Sequence, residues 1–592
     1  MRFPVIVALA RISARSTRRL FAVFILACIL PYNSVAQEQG DAPEQQLPEI
    51  APQEIEIRGE LRLSFPSLQR QPLRGFASPP TIPSVPDGRM PYVEPYKQAL
   101  EDLPESLPAP DAASQTVSTP ADPQEGFVEM GGGRYLSRFA RGRLSFPFTA
   151  QQTLSVRADY SGLDGFSPFP GSDVSTPSDV FDGALLFESR HDALAVTADV
   201  HAQAQRYTLY GLPPVGQDTA AIAPDRSGYT TGSALRLRTF GSITSSVEVS
   251  FDRTQYTSQL APRPDAPSDA YHEHRLAFDG SLTVPIGRMA TTLDALAHRA
   301  SYGGDVPNHT GYRVDSGLSL QLADSDALSA TLGGRFLGFE APATPRQRTG
   351  NTASAAFIAP AGRVELSLAP GVTLFAENAP SVTSDGLADL YRRTPYAEHA
   401  PSVRPTLYTT KAESGVLLSL GPLRIQPSAG YRYAPSYQYT QNPSSFVPNV
   451  PLLVQHGSAR IIHGGGQIAL QGLTGVEASV DVSVRDGELV GDNAPIPYFS
   501  PLVTDAMLSV SFADQRGLLQ TTGTIESPRP TTPAGDTEVG TYIHFDLEGS
   551  YAVSSLLDIV VRAKNLGPEA PKKWARYARP PAMIMGGVRI HW

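Results

Sequence analysis

The sequence predicts an all-β protein, an antiparallel transmembrane barrel of about 22 strands, on three observations. From about Gly126 onward, segments of roughly ten residues alternate apolar and polar side chains with a period of two. Tight turns and longer polar loops follow one another in strict alternation, which places the two strand ends in different surroundings. Beyond the first 36 residues, no stretch is long and apolar enough to cross a bilayer as a helix.

Composition fits that class. At 592 residues the chain exceeds the size at which a single hydrophobic core stops growing, whereas a large barrel needs no solid core. Only 18% of residues are charged and 41% are apolar, yet 23 Tyr and 24 Phe exclude simple disorder. The formal charge of −10, with no basic stripe, excludes a nucleic-acid surface.

The elements read in order as follows. Residues 1–36 form a secretory signal: Arg2, Arg11, Arg15, Arg18 and Arg19 make a positive start, Leu20 to Leu30 an apolar run, and Ser34-Val35-Ala36 a small-x-small cleavage site between Ala36 and Gln37. A permanent anchor is disfavoured because the apolar run is too short to span. The single cysteine, Cys28, lies inside that run; Ile29 and Leu30 continue it, which fits a lipid-acceptor motif poorly. Cleavage leaves a chain without disulfides, thiol nucleophiles or cysteine-ligated metals.

Residues 37–125 are rich in Pro, Gln, Glu and Ser, and that composition predicts a largely extended periplasmic or lumen segment. One island alternates as a strand: Ile55, Ile57, Leu61, Leu63 and Phe65 oppose Glu54, Glu56, Arg58, Glu60 and Arg62. It suits strand addition to a periplasmic protein. A short helical pattern follows at Tyr96 to Leu103.

Residues 126–592 carry the strands. Val476, Ala478, Val480, Val482 and Val484 share one face and Glu477, Ser479, Asp481, Ser483 and Arg485 the other. Leu276, Phe278, Gly280, Leu282 and Val284 oppose Glu273, Arg275, Asp279, Ser281 and Thr283; Ile543, Phe545, Leu547, Gly549 and Tyr551 oppose His544, Asp546, Glu548 and Ser550. At the end Ile584, Gly586, Val588, Ile590 and Trp592 face one way and Met585, Gly587, Arg589 and His591 the other. A soluble β-sandwich would show the same alternation, but it has no reason to keep short and long connections strictly alternating. Tight links stand at Arg190-His191-Asp192, Phe240-Gly241-Ser242, Gly421-Pro422, Gly472-Leu473-Thr474 and Ala552-Val553-Ser554; polar loops lie near 161–176, 207–228, 254–269, 376–405, 435–455, 525–538 and 566–582.

This barrel resembles that of TonB-dependent receptors over roughly residues 126–592. Gly126-Phe127-Val128-Glu129-Met130-Gly131-Gly132-Gly133-Arg134-Tyr135 is similar to the family's first barrel strand and very short first external turn. Arg157-Ala158-Asp159-Tyr160 and Asp164-Gly165-Phe166 follow in the family's order, and Val561-Arg562-Ala563-Lys564-Asn565-Leu566 resembles its penultimate strand. Arg579-Pro580 precedes a last strand in which Ile584, Val588, Ile590 and Trp592 resemble the outer-membrane sorting signal. The resemblance implies an outer-membrane location, insertion into lipid by the barrel-assembly machinery, and transport of a solute. The chain departs from the family at its plug: residues 37–125 are shorter and more proline-rich, with no counterpart to the Arg-Gly and Asp-Gly-Val-Pro signature beyond Ile57-Arg58-Gly59. The pattern is that of a plugless relative, which puts energy coupling through TonB in doubt.

No enzyme constellation, cofactor site or nucleic-acid module is legible. His463-Gly464-Gly465-Gly466 resembles an oxyanion-hole motif but has no G-x-S-x-G elbow to accompany it, and strand glycines more often permit close packing. His272 and His274 share a strand face, a start for a metal site that lacks further ligands; the solvated end of a strand explains them more simply. Gly131-Gly132-Gly133 is followed by neither a helix nor Lys-Ser/Thr, so it is no phosphate loop. Asp481, Arg485, Asp546, Glu548, Arg562, Lys564 and Arg589 are expected to coat a wet lumen. The leading functional expectation is a transporter or pore for an unidentified solute, with residues 37–125 as partial gate or tether. The alternative is a non-transporting barrel that anchors an envelope or surface complex.

Overall fold

A computed structural model describes residues 126–592, except 169–175, 211–224, 260–268, 288, 306–307, 343–351, 384–385, 444–450 and 568–571. The expectations for Ala36 and Gln37, for the strand bearing Ile55, Ile57, Leu61 and Leu63, and for the whole segment 37–125 lie outside the described residues.

Twenty-two strands form one closed antiparallel barrel. They are β1 (Gly126–Gly133), β2 (Ser137–Thr149), β3 (Gln152–Leu163), β4 (Ser178–Arg190), β5 (Leu194–Thr208), β6 (Asp225–Thr239) and β7 (Thr244–Gln259). The wall continues through β8 (Asp269–Ile286), β9 (Met289–Gly304), β10 (His309–Asp324), β11 (Leu328–Pro342), β12 (Thr352–Ala369), β13 (Val372–Asn378), β14 (Thr410–Leu420) and β15 (Leu423–Gln441). It ends with β16 (Leu453–Leu473), β17 (Val476–Leu489), β18 (Leu502–Phe512), β19 (Gly517–Glu526), β20 (Tyr542–Ala552), β21 (Leu557–Lys564) and β22 (Met583–His591). Closure comes from β22 pairing back onto β1, with Phe127 opposite His591 and Gly133 opposite Met585. No strand edge is left open.

Register fixes the two faces. Glu129 lies opposite both Arg141 and Arg589, so these three share the lumen face, while Val128 and Ile590 share the other. Outward residues such as Leu185, Val200, Leu235, Leu276, Val484 and Ile584 are exposed, and Ile358 is 85% exposed. Such a continuous apolar surface on a free monomer would be covered or aggregate; a belt around a barrel meets acyl chains instead. Phe146, Phe148, Phe240, Phe512 and Tyr551 ring the tight-turn end, as an aromatic girdle at one membrane interface does. The architecture is that of an outer-membrane barrel.

Of the expected sorting residues, Ile584, Val588 and Ile590 lie exposed on the outward face of the last strand, and Trp592, directly after it, is exposed as well. Asp481, Arg485, Asp546, Glu548, Arg562, Lys564 and Arg589 take the inward register, on the same face as Glu129. Tight turns join strands at 370–371, 421–422 and 474–475, where Gly371 (φ 81°), Gly421 (φ 61°) and Gly475 (φ 78°) take left-handed backbone that a side chain would strain. The 254–269 loop is shorter than the sequence suggested: β7 runs to Gln259, because Tyr256 and Ser258 continue the inward row.

Cross-strand ion pairs line the lumen. Arg141 Nε donates to Asp159 Oδ1 at 3.0 Å, Arg157 Nη2 to Asp182 Oδ1 at 2.7 Å, and Arg335 Nη2 lies 2.9 and 2.7 Å from Asp294 and Asp315. At the β1/β22 seam Glu129 is wholly buried between Arg562 and Arg589, the latter Nη2 at 2.7 Å. Neighbouring opposite charges let inward polar side chains satisfy one another where the lumen narrows their access to water.

Candidate functional site

Among the described residues, the connection 379–409 between β13 and β14 is the one that fills part of the lumen. Its two arms, Ser381–Thr383 and Thr406–Tyr408, pair antiparallel as a neck. Between them the helix α1 (Leu387–Arg393) forms where Leu387, Leu390 and Tyr391 recur at helical spacing; Asp389 Oδ2 accepts from the Gly386 N–H at 3.4 Å as a weak cap. The loop does not point away from the barrel.

Contacts with inward-facing wall residues show it folded into the lumen. The neck packs Val382 and Leu407 on Leu337, Phe339 and Ala359 of β11 and β12, and the Val382 N–H donates to Asp315 Oδ2 at 3.1 Å. Leu387, Leu390, Tyr391, Ala397, Ala400 and Val403 form one buried cluster with Tyr256, Tyr271 and Tyr302 of β7, β8 and β9. The buried Glu273 carboxylate accepts from the Leu387 N–H at 2.6 Å, so the first turn of α1 is satisfied by the wall.

Arg226 of β6 is the strongest clasp. Fully buried, it donates through Nη1 to the carbonyls of Pro395 and Ala397, each at 2.9 Å, and through Nε to Ser258 Oγ at 2.8 Å. Its guanidinium lies 4.3 Å from the centre of the Tyr391 ring. Tyr207 adds a hydroxyl bond to the Pro395 carbonyl at 2.9 Å. On the opposite wall, Glu398 N–H donates to Leu452 O (2.8 Å), Leu452 N–H to Tyr396 O (2.9 Å), and Ser436 Oγ to Pro405 O (3.0 Å). The loop thus bridges the lumen from β5–β12 to β15–β16.

Outer loops lock over it. Tyr396 stacks on Tyr577 with ring centres 3.5 Å apart, Tyr210 packs edge-on to both, and Tyr210 OH donates to Ala578 O at 2.6 Å. Tyr498 sits 4.7 Å from Trp574, donates its hydroxyl to Asn442 Oδ1 at 2.8 Å, and donates its N–H to Pro530 O at 2.7 Å. Burial pushes the Tyr210 and Tyr498 phenols up to about 12 and holds Tyr396 well above the ordinary phenol range, so all stay protonated donors at neutral pH.

The motifs weighed from sequence fall elsewhere. His463-Gly464-Gly465-Gly466 runs within β16; a Cβ on Gly465 would stand 2.0 Å from the Val482 carbonyl, so strand packing accounts for that glycine. His272 and His274 take the outward register with Leu276, their rings 5.4 Å apart, and no group of three metal-ligating side chains occurs among the described residues. The inward loop was not foreseen. Its one sequence trace is the apolar i, i+3, i+4 set Leu387, Leu390, Tyr391 in a stretch otherwise read as polar loop.

No family model matches this chain, and no curated protein matches its sequence. Solved structures do share its fold. The chain is similar to the siderophore receptor PirA from Acinetobacter baumannii at 11% identity and a TM-score of 0.58, over 79% of this chain and 80% of that one. It is similar to the FrpB iron transporter from Neisseria meningitidis at 10% identity and TM-score 0.59, over 79% and 82%. The copper transporter OprC matches at 12% identity and TM-score 0.57, over 79% and 80%. These neighbours are TonB-dependent receptors, and the likeness lies in the barrel fold.

Proposed function

We propose that this protein is an outer-membrane transporter of the TonB-dependent-receptor type, carrying an unidentified solute through a lumen gated by the inward loop 379–409. The observation that carries the reading is the buried seam between that loop and the inward wall, centred on Arg226, Glu273 and the tyrosines of β7–β9. A barrel of this girth leaks unless something closes it. A closure held by hydrogen bonds and apolar contacts, rather than by continuous wall, has an open alternative. The fold neighbours named for iron and copper transport and siderophore reception support the reading at the level of the barrel.

The N-terminal expectations form part of the proposal. Cleavage follows Ala36, residues 37–125 act as partial gate or tether, and Ile55, Ile57, Leu61 and Leu63 present a strand to a periplasmic partner. Ile584, Val588, Ile590 and Trp592 are the residues read by the barrel-assembly machinery before insertion into outer-membrane lipid.

Planar-bilayer conductance tests the gate. The intact mature chain is expected to stay closed, and deletion of residues 386–398 to give steady channels. Absence of channels from that deletion, both with residues 37–125 and without them, would overturn the transport reading in favour of a barrel that only anchors.

A further inference from the structure

One arc of the lumen wall gathers cations that have no carboxylate beside them. Inward Arg141, Arg157, Arg275, Arg335, Arg363, Arg562 and Arg589 each sit beside a carboxylate. On β14 to β17 the arrangement differs. Lys411 of β14 lies directly opposite Arg432 of β15, two cations in one inward row. In the next row, His463 of β16 lies opposite Arg485 of β17, with Gly430 on the other side of the histidine.

Like charges placed directly across a strand pair destabilise a sheet, so the pairing asks for a counter-charge. Among the described residues, Lys411 and Arg432 have no ion-pair partner, and the buried Nε of Arg432 has no hydrogen-bond partner. Arg485 spends one nitrogen on the Ser500 carbonyl at 2.8 Å and lies over Phe499 at 4.5 Å, with no carboxylate in contact. The acids nearby are few. Glu413 stands 3.7 Å from His463 Nε2, Asp505 accepts from Thr524 at 2.7 Å, and Glu526 is taken by Arg529 at 2.9 Å and Lys573 at 3.6 Å. Both ring nitrogens of His463, itself mostly buried, lack a hydrogen-bond partner. The ring lies over Gly430, where a Cβ would meet it at 2.4 Å, so that glycine keeps the imidazole in place.

The arc lies at the foot of the inward loop. Lys411 follows the loop's last residues directly, and the Tyr437 phenol is within electrostatic reach of Arg432, Arg485 and Arg393 of α1. We propose that Lys411, Arg432, Arg485 and His463 form a binding site on the lumen wall for a solute bearing two or more anionic oxygen groups, carboxylates or phosphates. Strand spacing sets these side chains across three inter-strand intervals, about 15 Å, and two rows about 7 Å apart. That span suits several anionic groups on one molecule, held by charge-assisted bonds, better than a single small ion. The inference deepens the transport reading by naming a solute class.

Calorimetric titration of the purified mature protein in detergent with pyrophosphate and with citrate tests it, beside Lys411→Gln, Arg432→Gln and, as control, Arg363→Gln on the β12 wall. Saturable binding is expected for the parent and the control. Lys411→Gln and Arg432→Gln are each expected to weaken it by at least roughly tenfold. Thermal unfolding separates a ligand site from a structural one: relief of the Lys411/Arg432 juxtaposition leaves the midpoint unchanged or raises it. Equal binding in the parent and in Lys411→Gln/Arg432→Gln overturns the proposal, as does binding of neither anion by the parent and the loop deletion alike. A lowered midpoint in both single variants overturns it too, by giving these cations a structural role. Binding is read at equilibrium without a bilayer, so a protein that binds but never conducts sinks the transport reading and leaves this site standing.

Discussion

Arg226→Met removes the clasp that holds the inward loop while keeping an apolar stem of similar length. The guanidinium makes three hydrogen bonds, to Pro395 O, Ala397 O and Ser258 Oγ, and packs on Tyr391. Bonds to a charged donor contribute about 1.5–3 kcal/mol each, a gross upper bound, because both carbonyls regain water when the loop opens. In the closed state the two carbonyls left without a donor cost about 1–3 kcal/mol each, and removal of the buried cation offsets part of that, so we take about 3–5 kcal/mol in all. At about 1.4 kcal/mol per factor of ten, the open population rises by roughly 10² to 10⁴. Ala397, wholly buried beside the clasp, provides the reporter: the chain has one native cysteine, Cys28, so Ala397→Cys in a Cys28→Ser background places a unique thiol. Maleimide labelling of Cys at 397 is expected to accelerate by that factor in the Arg226→Met background, until reagent chemistry becomes limiting. An unchanged labelling rate would mean that the loop is not held closed by Arg226, and the gate assignment would fail with it.

Three further outcomes follow from the same contacts. Glu129→Gln leaves Arg562 and Arg589 facing a neutral amide at the closing seam; with Glu548 and Asp558 still near them, the loss falls toward the low end of about 3–5 kcal/mol, and the temperature at which the barrel loses its folded gel mobility drops. The Tyr210 and Tyr498 phenols titrate near 12 when buried and near 10 when freed, so the outer loops keep their full stability below about pH 10 and lose it as pH rises toward 12; tyrosinate absorbance that instead titrates wholly near 10, with no rise in labelling at position 397, would contradict their burial. Removal of Trp592 is expected to cut the yield of barrel in outer-membrane fractions several-fold while leaving refolding into detergent intact, and equal loss in both would assign the residue to stability rather than sorting.

Much of the barrel was legible because its physics repeats. Once Val480 and Asp481 take opposite faces, a period of two assigns every neighbour in the strand, and each added strand reinforces the count. Lipid on one side and water on the other make that alternation steep, as at Ile584 to Trp592. The inward loop escaped for the converse reason. Alternation puts Tyr256 on the inward face, but nothing local shows that its ring packs on Tyr391 at 4.4 Å, because that partner lies far away in the chain. Arg226 reads as one more polar inward residue until the loop's carbonyls are seen beside it. The Lys411/Arg432 row was hidden too, since a cross-strand pair depends on register between strands, and periodicity fixes faces without fixing register.

The gate and the cationic arc place a quantitative demand on each other. A solute opens the loop only through unequal affinity for its two states, and turning a 99:1 closed population into a 99:1 open one takes about 5.5 kcal/mol of difference, roughly 10⁴-fold. Lys411, Arg432 and Arg485 sit on wall strands and stay put in either state, so they supply affinity but little discrimination. The discriminating group must travel with the loop, and of the loop's cations Arg393, carried by α1, is the one within electrostatic reach of Tyr437 beside that arc. If Arg393 lies nearer the anion in the closed state, binding tightens the gate and release of the solute must come from the periplasmic side. Should it approach only when α1 swings, binding favours opening. Arg393→Gln separates the two: it speeds labelling at position 397 in the presence of pyrophosphate in the first case and slows it in the second, and an identical rate in parent and variant would remove Arg393 from the coupling altogether.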